Sequence, residues 1–568
     1  MLDPRYPTLV PQRAWLLSRD RESLTSRALA SSVAPWVWPH LGALGSATLM
    51  ALAQPPLNQG WLGPLVLVPW LAATRHSSLL AGVASGALFG LAFGLAVSSW
   101  IPEALAVRKA DPASAHVGWV VTALWAGALP WAVVAGALAT LRRLALPLPL
   151  WLGLGAALLF ALDTLRSSLV LGVPWALLGH TQATVLGVAQ LAAIGGVPLV
   201  SALLMAIALA IVVARVGDAE ERAIGLPWAG AGLGLWLALA SFGTPIAEQA
   251  HRLTPSGHEI RDRLRILAVR RPVRYAERWV PAVQRTELER IGLQTLREIE
   301  QRAAAPPPEL IVWPENALTT PLAQDPLLSH ALTRWAQRID VPIVLGTIEP
   351  GEGTPATLRA YRSLARWIAP DGQTRDTFTK TVGVPLIESQ PQAALEQALR
   401  ARFGIGEGAR ILELGTVERP LHGTPTRETL TEIDLAIALC YEILYPDRIE
   451  ARRSAETVAI VNPSSDAWLR DPGPVSRQLT AFGRFRAIEQ RLPLVRISDG
   501  GESIAIDPFG RTRERLSSKM AGSVAIWGEA SRGSAALERV ALVALALAGA
   551  ASGSLIGGVI ARRYRRYR

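Results

Sequence analysis

Three side chains in the C-terminal half of the chain could together do nucleophilic chemistry. Cys440 ends the apolar run Ile433–Cys440 and is the only cysteine in 568 residues. Glu315 directly follows the apolar stretch of Leu310–Pro314, and Lys380 follows a shorter strand-like run. A thiol at the C-terminal end of a core strand is where α/β folds expose nucleophiles. We therefore predict that Glu315 is a general base, that the Lys380 ammonium stabilises an oxyanion, and that Cys440 is the nucleophile.

Each member of this set also has a simpler interpretation. A free cysteine is most often a small buried apolar residue, and a lone cysteine excludes both an intramolecular disulfide and a four-cysteine zinc site. Burial of Glu315 at a strand end would raise its pKa toward the range of a general base, but an isolated glutamate is more often a solvated loop carboxylate. The chain has three lysines and 54 arginines, so arginine is its usual positive residue. A lysine at position 380 therefore suggests that a compact ammonium is needed there, and the alternative is a chance surface lysine.

The composition indicates a membrane protein. Half of the residues are hydrophobic and 18% are charged, whereas soluble proteins carry about a quarter charged residues. Long runs without Asp, Glu, Lys or Arg recur along the first 247 residues, and about 20 apolar residues suffice to cross a bilayer. The predicted spans are 38–53, 61–74, 77–101, 117–141, 148–165, 186–214, 224–242 and 540–560.

The short loops predict the orientation. With eight spans, the arginines of the N-terminal tail, of the loops after spans two, four and six, and of the C-terminal run Arg562–Arg568 all fall on one side. The opposite loops hold little positive charge, so both termini are predicted to be cytoplasmic and the long segment between spans seven and eight to lie outside the cytoplasm. The net charge of +11 then comes mostly from arginines at the membrane borders, which set the orientation of the spans. These arginines do not form the single basic surface of a nucleic-acid-binding domain.

That long segment is richer in charge, and short β-like runs alternate in it with helical patterns, which predicts an α/β domain. The periodic stretch 279–303 and the stretch 477–489 are predicted helices, whereas 351–357 and 415–426 are predicted loops. The predicted strands are 264–269, 310–313, 342–347, 363–368, 435–440, 457–462, 494–498, 503–506 and 523–526. The predicted divisions are a cytoplasmic tail at 1–37, a membrane domain of about seven helices at 38–247, a linker at 248–260, an extracytoplasmic catalytic domain at 261–530, a final transmembrane helix at 538–561 and a basic tail at 562–568.

The ordered glutamate, lysine and cysteine resemble the catalytic set of the nitrilase, or carbon–nitrogen hydrolase, superfamily. Such a domain between a multi-span region and one last span resembles the apolipoprotein N-acyltransferases, a bacterial inner-membrane family. Further matching stretches are Asp163–Arg166, Val173–Trp175, Leu178–His180, Asn462 with Ser465–Trp468, Arg486–Glu489 and Leu494–Arg496. The resemblance spans roughly residues 35 to 560 and implies a membrane helical bundle joined to a four-layer α-β-β-α sandwich.

The resemblance also implies roles for four more residues. Glu388, eight residues after Lys380, and Glu442 would support the site, as would Tyr441, and Trp279 would contact substrate. Three segments depart from the family pattern, namely Val382–Glu388 after the lysine, Arg270–Val273 after the first strand, and Arg477 where histidine is usual. These departures affect the rim of the pocket and therefore substrate preference.

The implied activity is transfer of an acyl chain from a phospholipid to the N-terminal amine of a diacylglyceryl-cysteine lipoprotein, through a thioester on Cys440. No cofactor, metal or nucleic acid is expected, and the protein is expected to be a monomer in the inner membrane with its catalytic domain in the periplasm. Two alternatives stay open at this point. One is an amidase or acyltransferase of the same superfamily with another acceptor. The other is a membrane scaffold or transporter, which the scarcity of ionisable residues within the spans disfavours.

Overall fold

The protein has a helical, apolar half and a mixed α/β half, as seen in a computed structural model. The structure describes residues 37–107, 111–144, 146–169, 172–252, 264–271, 277, 279–351, 360–385, 388, 411–425, 432–469, 473–517 and 520–528, together with part of 539–558. The predicted terminal tails, most of the predicted linker and most of the loop predicted at 351–357 lie outside these residues.

The apolar half consists of helices whose side chains are apolar on all faces. Large apolar residues such as Leu80, Phe160 and Phe242 stay exposed on their outer surfaces, which is expected where lipid is the solvent. The helices are α1 (Val37–Ala53), α2 (Val68–Thr74), α3 (Leu79–Val97), α4 (Ile101–Val107), α5 (Pro112–Arg143), α6 (Leu148–Ser168), α7 (Leu186–Ala189), α8 (Ala192–Val216) and α9 (Ala219–Arg252).

Five of the described helices, α3, α5, α6, α8 and α9, are long and apolar enough to cross a membrane. The first two predicted spans correspond to shorter apolar helices at Val37–Ala53 and Gly60–Thr74. The sixth predicted span is broken into α7 and α8, and Gly196 with a φ of 67° interrupts the start of α8. Helix α9 continues to Arg252, which is five residues into the predicted linker.

The last predicted span is described only in part, and its described residues are helical. Leu542 packs in one apolar cluster with Leu239 of α9, and Gly557 lies against the carbonyl of Leu226 near the start of the same helix. The segment therefore runs antiparallel beside α9, returning from the α/β half toward the opposite face of the helical bundle.

The α/β half contains two sheets. The first has the strand order β13-β1-β2-β3-β4-β5 with β6 beside β4, and the second has the order β12-β11-β10-β9-β8-β7. The strands of this half are β1 (Leu264–Arg270), β2 (Leu310–Val312), β3 (Ile343–Pro350), β4 (Ala360–Ile368), β5 (Thr374–Thr379), β6 (Ile411–Leu412), β7 (Leu421–Gly423), β8 (Ile433–Ile437), β9 (Thr457–Ser465), β10 (Leu494–Asp499), β11 (Ser503–Ile506), β12 (Thr512–Leu516) and β13 (Gly522–Gly528).

The sheets pack face to face and helices cover both outer faces. Ala268 and Val312 of the first sheet share a core with Leu435 and Val461 of the second. Helices α10 (Pro281–Gln301) and α11 (Pro326–Ile339) cover the first sheet, and α12 (Pro446–Ala451) and α13 (Gly473–Gln490) lie on the side of the second. This arrangement is the α-β-β-α sandwich, so the predicted fold class of membrane helices plus nitrilase-like domain is confirmed.

Several local predictions for this half were incomplete. The strand predicted at 435–440 ends at Ile437, and β7 lies within the loop predicted at 415–426. The helix α11 and the strand β12 were not predicted, and the strand-like run expected before Lys380 is β5. Strand β5 is polar because it lies at a sheet edge. The turn at Asp371 and Gly372, in which Gly372 has a φ of 84°, is the local sequence feature that indicates the hairpin of β4 and β5.

One glutamine of α13 joins the two halves of the protein. The amide oxygen of Gln478 accepts a hydrogen bond from the Trp175 indole at 3.0 Å. Its amide nitrogen donates to the carbonyl oxygens of Val97, at the end of α3, and of Pro55. Because Gln478 is 2% exposed, these three groups have no ready access to water as an alternative partner.

We expect Gln478→Ala to destabilise the folded protein by about 1–3 kcal/mol, since it leaves buried polar groups of three segments without their partner. The measurement is thermal unfolding of the full-length protein in detergent. Arg477→Ala is the matched control, because Arg477 precedes it on the same helix and is exposed. Equal unfolding temperatures for the two variants would contradict the bridging role.

Candidate active site

The sulfur of Cys440 lies at a sharp turn just beyond β8. The residue has a φ of 53°, in the left-handed region that costs a non-glycine residue about 1–2 kcal/mol, and it begins the short helical turn Cys440–Leu444. The Asn462 amide donates to the carbonyl oxygens of Ala438 and Cys440, and Arg496 in turn holds the Asn462 oxygen at 2.7 Å. The second sheet therefore fixes the strained turn that presents the thiol.

Glu315 and Lys380 meet at the end of the first sheet. Lys380 Nζ lies 3.0 Å from Glu315 Oε1 and 2.9 Å from Glu388 Oε2. The Lys380 side chain is fully buried, that of Glu315 is 2% exposed and that of Glu388 is 16% exposed. Ser363 of β4 contributes a hydroxyl 3.4 Å from Glu315 Oε1. The ammonium is thus held between two carboxylates in a site that is largely closed to water.

A glycine of β3 makes room for the backbone of Glu315. A Cβ at Gly346 would lie 2.5 Å from Glu315 Cα and 2.5 Å from the nitrogen of Asn316, closer than real contacts allow. The chain after β2 therefore passes directly against β3, and this close approach turns the glutamate toward Lys380.

Burial and mutual charge set the protonation of the cluster. Burial raises the pKa of the Glu315 carboxyl, with Lys380 opposing the rise and Glu388 adding to it. Burial raises the pKa of the Cys440 thiol well above its usual value, and the charge of Glu315 raises it further. Burial alone would lower the pKa of Lys380, but the charges of Glu315 and Glu388 outweigh burial and hold that pKa well above its usual value. The thiol is therefore protonated at rest beside a carboxylate that can accept its proton.

Glu442 connects the lysine segment to the cysteine turn. Its Oε1 accepts hydrogen bonds from the backbone nitrogens of Thr381 and Val382, at 2.7 and 3.1 Å, and its Oε2 accepts from the nitrogen of Leu439 at 2.8 Å. The guanidinium of Arg452 binds both oxygens, at 2.8 and 3.0 Å. Both side chains are fully buried, so Glu442 holds the residues after Lys380 and the residue before Cys440 in one fixed arrangement.

Arg452 also forms hydrogen bonds and a ring contact with several other segments. It donates to the Ile437 carbonyl at 2.7 Å, to the Thr381 hydroxyl at 2.7 Å and to Glu418 at 2.6 Å. Its guanidinium carbon also lies 4.6 Å from the centre of the Phe378 ring. The arginine therefore ties β5, β8 and the loop of Glu418 together directly beneath the cluster.

An apolar groove between the membrane helices reaches the residue next to Cys440. Tyr441 lines it and stacks on Trp175 with ring centres 6.3 Å apart. The empty volume is about 910 Å³, and Val384 and Pro385 of the unusual segment after Lys380 form part of its wall. The other lining residues come mostly from α3, α4 and α5 and include Phe93, Val97, Trp100, Ile101, Leu105, Thr122 and Trp131.

The structure brings six of the seven predicted site residues together and places the seventh elsewhere. Glu315, Lys380, Glu388 and Cys440 are within electrostatic reach of one another, and Glu442 and Tyr441 follow the cysteine directly. Trp279 instead packs edge-on against Tyr361 of β4, with ring centres 6.0 Å apart, and is not among the described residues that line the groove. Among the described residues no group of three His, Cys, Asp or Glu side chains could hold a metal ion.

Sequence reasoning missed Arg452 and Gln478. Arg452 is one of 54 arginines, and neither spacing nor composition marks it. Gln478 adjoins Arg477, which was noted only as a departure. Arg270, noted for the same reason, is fully buried and donates to the Ser498 carbonyl at 2.8 Å, so it joins the two sheets instead of lining the groove.

Two family models match the chain. Residues 46–210 match the apolipoprotein N-acyltransferase N-terminal domain, and residues 281–526 match the carbon–nitrogen hydrolase model. The apolipoprotein N-acyltransferase of Azotobacter vinelandii is 28% identical over 492 residues, which cover 84% of this chain and 87% of that protein. The one from Gloeobacter violaceus is 27% identical over 514 residues, which cover 87% and 88%. Among solved structures, an amidase from Nesterenkonia sp. AN1 is 16% identical with a TM-score of 0.34, over 49% of this chain and 94% of that chain.

We expect Glu442→Gln to destabilise the protein by about 1–3 kcal/mol, because it turns an amide N–H₂ toward backbone and guanidinium groups that donate, while Arg452 keeps Glu418 as a second carboxylate partner. Chemical or thermal unfolding in detergent measures the loss. Glu450→Gln is the matched control, since Glu450 is exposed on the neighbouring α12. A Glu442→Gln protein as stable as this control would show that the bridge is not needed.

Proposed function

Because this chain belongs to the apolipoprotein N-acyltransferase family, we propose that it transfers an acyl chain to an amine through a thioester on Cys440. The observation that carries the proposal is the position of the reactive cluster. The residue after the thiol, Tyr441, lines an apolar groove between membrane helices, so an acyl chain in the groove would bring its carbonyl carbon beside the sulfur. The donor is a membrane phospholipid, and the acceptor is the N-terminal amine of a diacylglyceryl-modified lipoprotein.

In the first step Glu315 accepts the proton of the Cys440 thiol as the sulfur attacks the ester carbonyl of the phospholipid. The negative charge that develops on the carbonyl oxygen is stabilised by the Lys380 ammonium and by backbone N–H groups at the turn that follows the cysteine. When the intermediate collapses, the carbon–oxygen bond breaks and Glu315 returns the proton to the leaving oxygen. The products are a lysophospholipid and an acyl thioester on Cys440.

In the second step the α-amine of the lipoprotein attacks the thioester carbonyl. Glu315 accepts a proton from the amine, the carbon–sulfur bond breaks, and the thiolate recovers the proton from Glu315. The product is an amide, and the resting thiol is restored. Glu388 and Glu442 position the lysine and the turn, and Tyr441 contacts the lipid.

The proposal includes a location. Both lipid substrates are anchored in a bilayer, and the bridge from Gln478 to Trp175 fixes the α/β half against the ends of the membrane helices. We place the protein in the bacterial inner membrane as a monomer, with the α/β domain in the periplasm and both termini in the cytoplasm. The predicted domain limits and the contact of Trp279 with substrate stay predictions.

The second candidate is an amidase of the same superfamily, in which water takes the place of the amine. The apolar wall beside Cys440 favours transfer, because a groove filled by lipid excludes water from the thioester. The two activities differ in product, since transfer adds one acyl chain to a lipoprotein amine and hydrolysis releases a free acid.

We expect Cys440→Ser to abolish acyl transfer, because a hydroxyl in this site is a far weaker nucleophile than a thiol. The assay incubates full-length enzyme with labelled phospholipid and a diacylglyceryl lipopeptide and detects the products by mass spectrometry. Omitting the lipopeptide should trap labelled acyl on wild-type Cys440 and none on Glu315→Gln. Normal transfer by Cys440→Ser, or release of free acid in place of the amide by wild type, would overturn the proposal.

The pH dependence tests the assignment of Glu315 as base. Activity should rise with pH as Glu315 loses its proton, at a pH above the usual range of a glutamate because its pKa is raised. Glu388→Gln removes a charge that contributes to this rise, so the acidic limb of kcat/KM should move to lower pH even as the maximum rate falls. Glu300→Gln, exposed on α10, is the control. An acidic limb at the same pH in Glu388→Gln and wild type would contradict the assignment.

A further inference from the structure

A second cavity lies at the opposite end of the membrane helices from the groove that reaches Tyr441. The groove is bordered by the C-terminal end of α3 and by Arg166 near the end of α6. The second cavity is bordered by the start of both helices, at Gly82 and Leu148, and by the end of α5. Its empty volume is about 1,100 Å³. It therefore opens near the other face of the bundle, away from Cys440.

The charges at this cavity do not balance. The ionisable side chains that line it are Arg75, His76, Arg142 and Glu221. Arg75 forms an ion pair with Glu221. Arg142 donates from Nη1 to the backbone carbonyls of Thr74 and Arg75, and no carboxylate pairs with it among the described residues. Apart from His76, the described lining residues thus carry two guanidinium groups and one carboxylate, an excess of one positive charge.

The guanidinium of Arg142 also has N–H donors that make no hydrogen bond to the described part of the protein. Its hydrogen bonds use Nη1 and Nε, so within the described part of the chain the two N–H groups of Nη2 have no acceptor. The indole N–H of Trp151, which also lines the cavity, is buried and has no acceptor there either. The guanidinium of Arg142 matches the oxygens of a phosphate diester, and Trp151 with its buried N–H forms the adjacent wall.

The remaining wall is apolar. It is formed by side chains of four helices, and it runs from the arginines into the bundle between α5, α6 and α8. The apolar lining residues are Trp70, Leu71, Ala135, Leu138, Leu141, Leu146, Leu148, Leu209, Val212 and Val213. A free anion would leave this surface uncovered, whereas a lipid has an anionic head and acyl chains that would cover it.

We propose that this cavity binds one anionic phospholipid of the leaflet opposite to the catalytic groove, with its phosphate on Arg142 beside Trp151 and an acyl chain along α6 and α8. The lipid is held as a bound component and is not a substrate, because the cavity and Cys440 lie at opposite ends of the same helices. Basic pockets between helices at the membrane surface are a recurring way to bind such headgroups. The site thereby secures the ends of α3, α5, α6 and α9 against one another.

The test uses the full-length protein in nanodiscs of phosphatidylethanolamine with one quarter phosphatidylglycerol. Native mass spectrometry after release should find one retained phosphatidylglycerol on wild type, and Arg142→Gln should lower its retention roughly tenfold, the effect of one charge-assisted hydrogen bond. Arg143→Gln is the matched control, since Arg143 is the next residue, is exposed and does not line the cavity. Glu221→Gln should increase retention, because it removes the one negative charge of the cavity.

Three outcomes would overturn the inference. One is equal retention by Arg142→Gln and Arg143→Gln, and another is lower retention by Glu221→Gln. The third is stabilisation of the detergent-solubilised wild type by inorganic phosphate to the same extent as by phosphatidylglycerol, which would indicate a simple anion site. Unfolding temperatures of all variants in detergent without added lipid separate loss of the lipid from loss of the fold. Acyl transfer by Cys440 is a separate readout, so failure of the catalytic proposal would leave this result unaffected.

Discussion

The buried ammonium of Lys380 is the constraint around which the rest of the site is arranged. A lone charge at this depth would be strongly disfavoured, and it is tolerated because two carboxylates lie within 3.0 Å of it. Those carboxylates come from different segments, Glu315 after β2 and Glu388 after β5. A second buried pair, Glu442 with Arg452, fixes the backbone on both sides of the cluster. Each of the two buried cations is paired with two carboxylates, Lys380 with Glu315 and Glu388 and Arg452 with Glu418 and Glu442, so the charges of the cluster depend on one another.

The membrane helices complete the site as well as anchoring it. Tyr441 belongs to the α/β half and Trp175 to the helical half, yet the two rings stack within the same groove. Gln478 holds Trp175 and also the end of α3, which forms another part of the groove wall. A soluble domain cut away from the helices would keep its buried charges but lose the surface on which a lipid chain could lie. The groove therefore depends on both halves of the protein.

The sequence predicted what depends on composition and order, and it missed what depends on distant contacts. Charge-free runs located the long helices, and strand-end positions identified Glu315, Lys380 and Cys440, because both signals are local. The sixth predicted span is interrupted between α7 and α8 and again at Gly196, and the continuous apolar run of the sequence gives no sign of either interruption. Arg452 bonds to groups 10 to 71 residues away, and Gln478 to groups more than 300 away, so no short pattern could reveal either. Trp279 followed from resemblance alone and lies outside the groove.

The raised pKa of the Cys440 thiol is compatible with the proposed role of Cys440 as a nucleophile that stays protonated between turnovers. A thiolate that persisted between turnovers would be open to oxidation, whereas a protonated, buried thiol resists it. A sulfur of high pKa is also the stronger nucleophile once its proton has been removed. The proposed mechanism then needs a base when a carbonyl is in place, and Glu315 suits this role because burial raises its pKa although the charge of Lys380 opposes the rise. Burial by itself would make the thiol inert, so the reactivity that we propose for Cys440 depends on the charged Glu315 and Lys380 beside it.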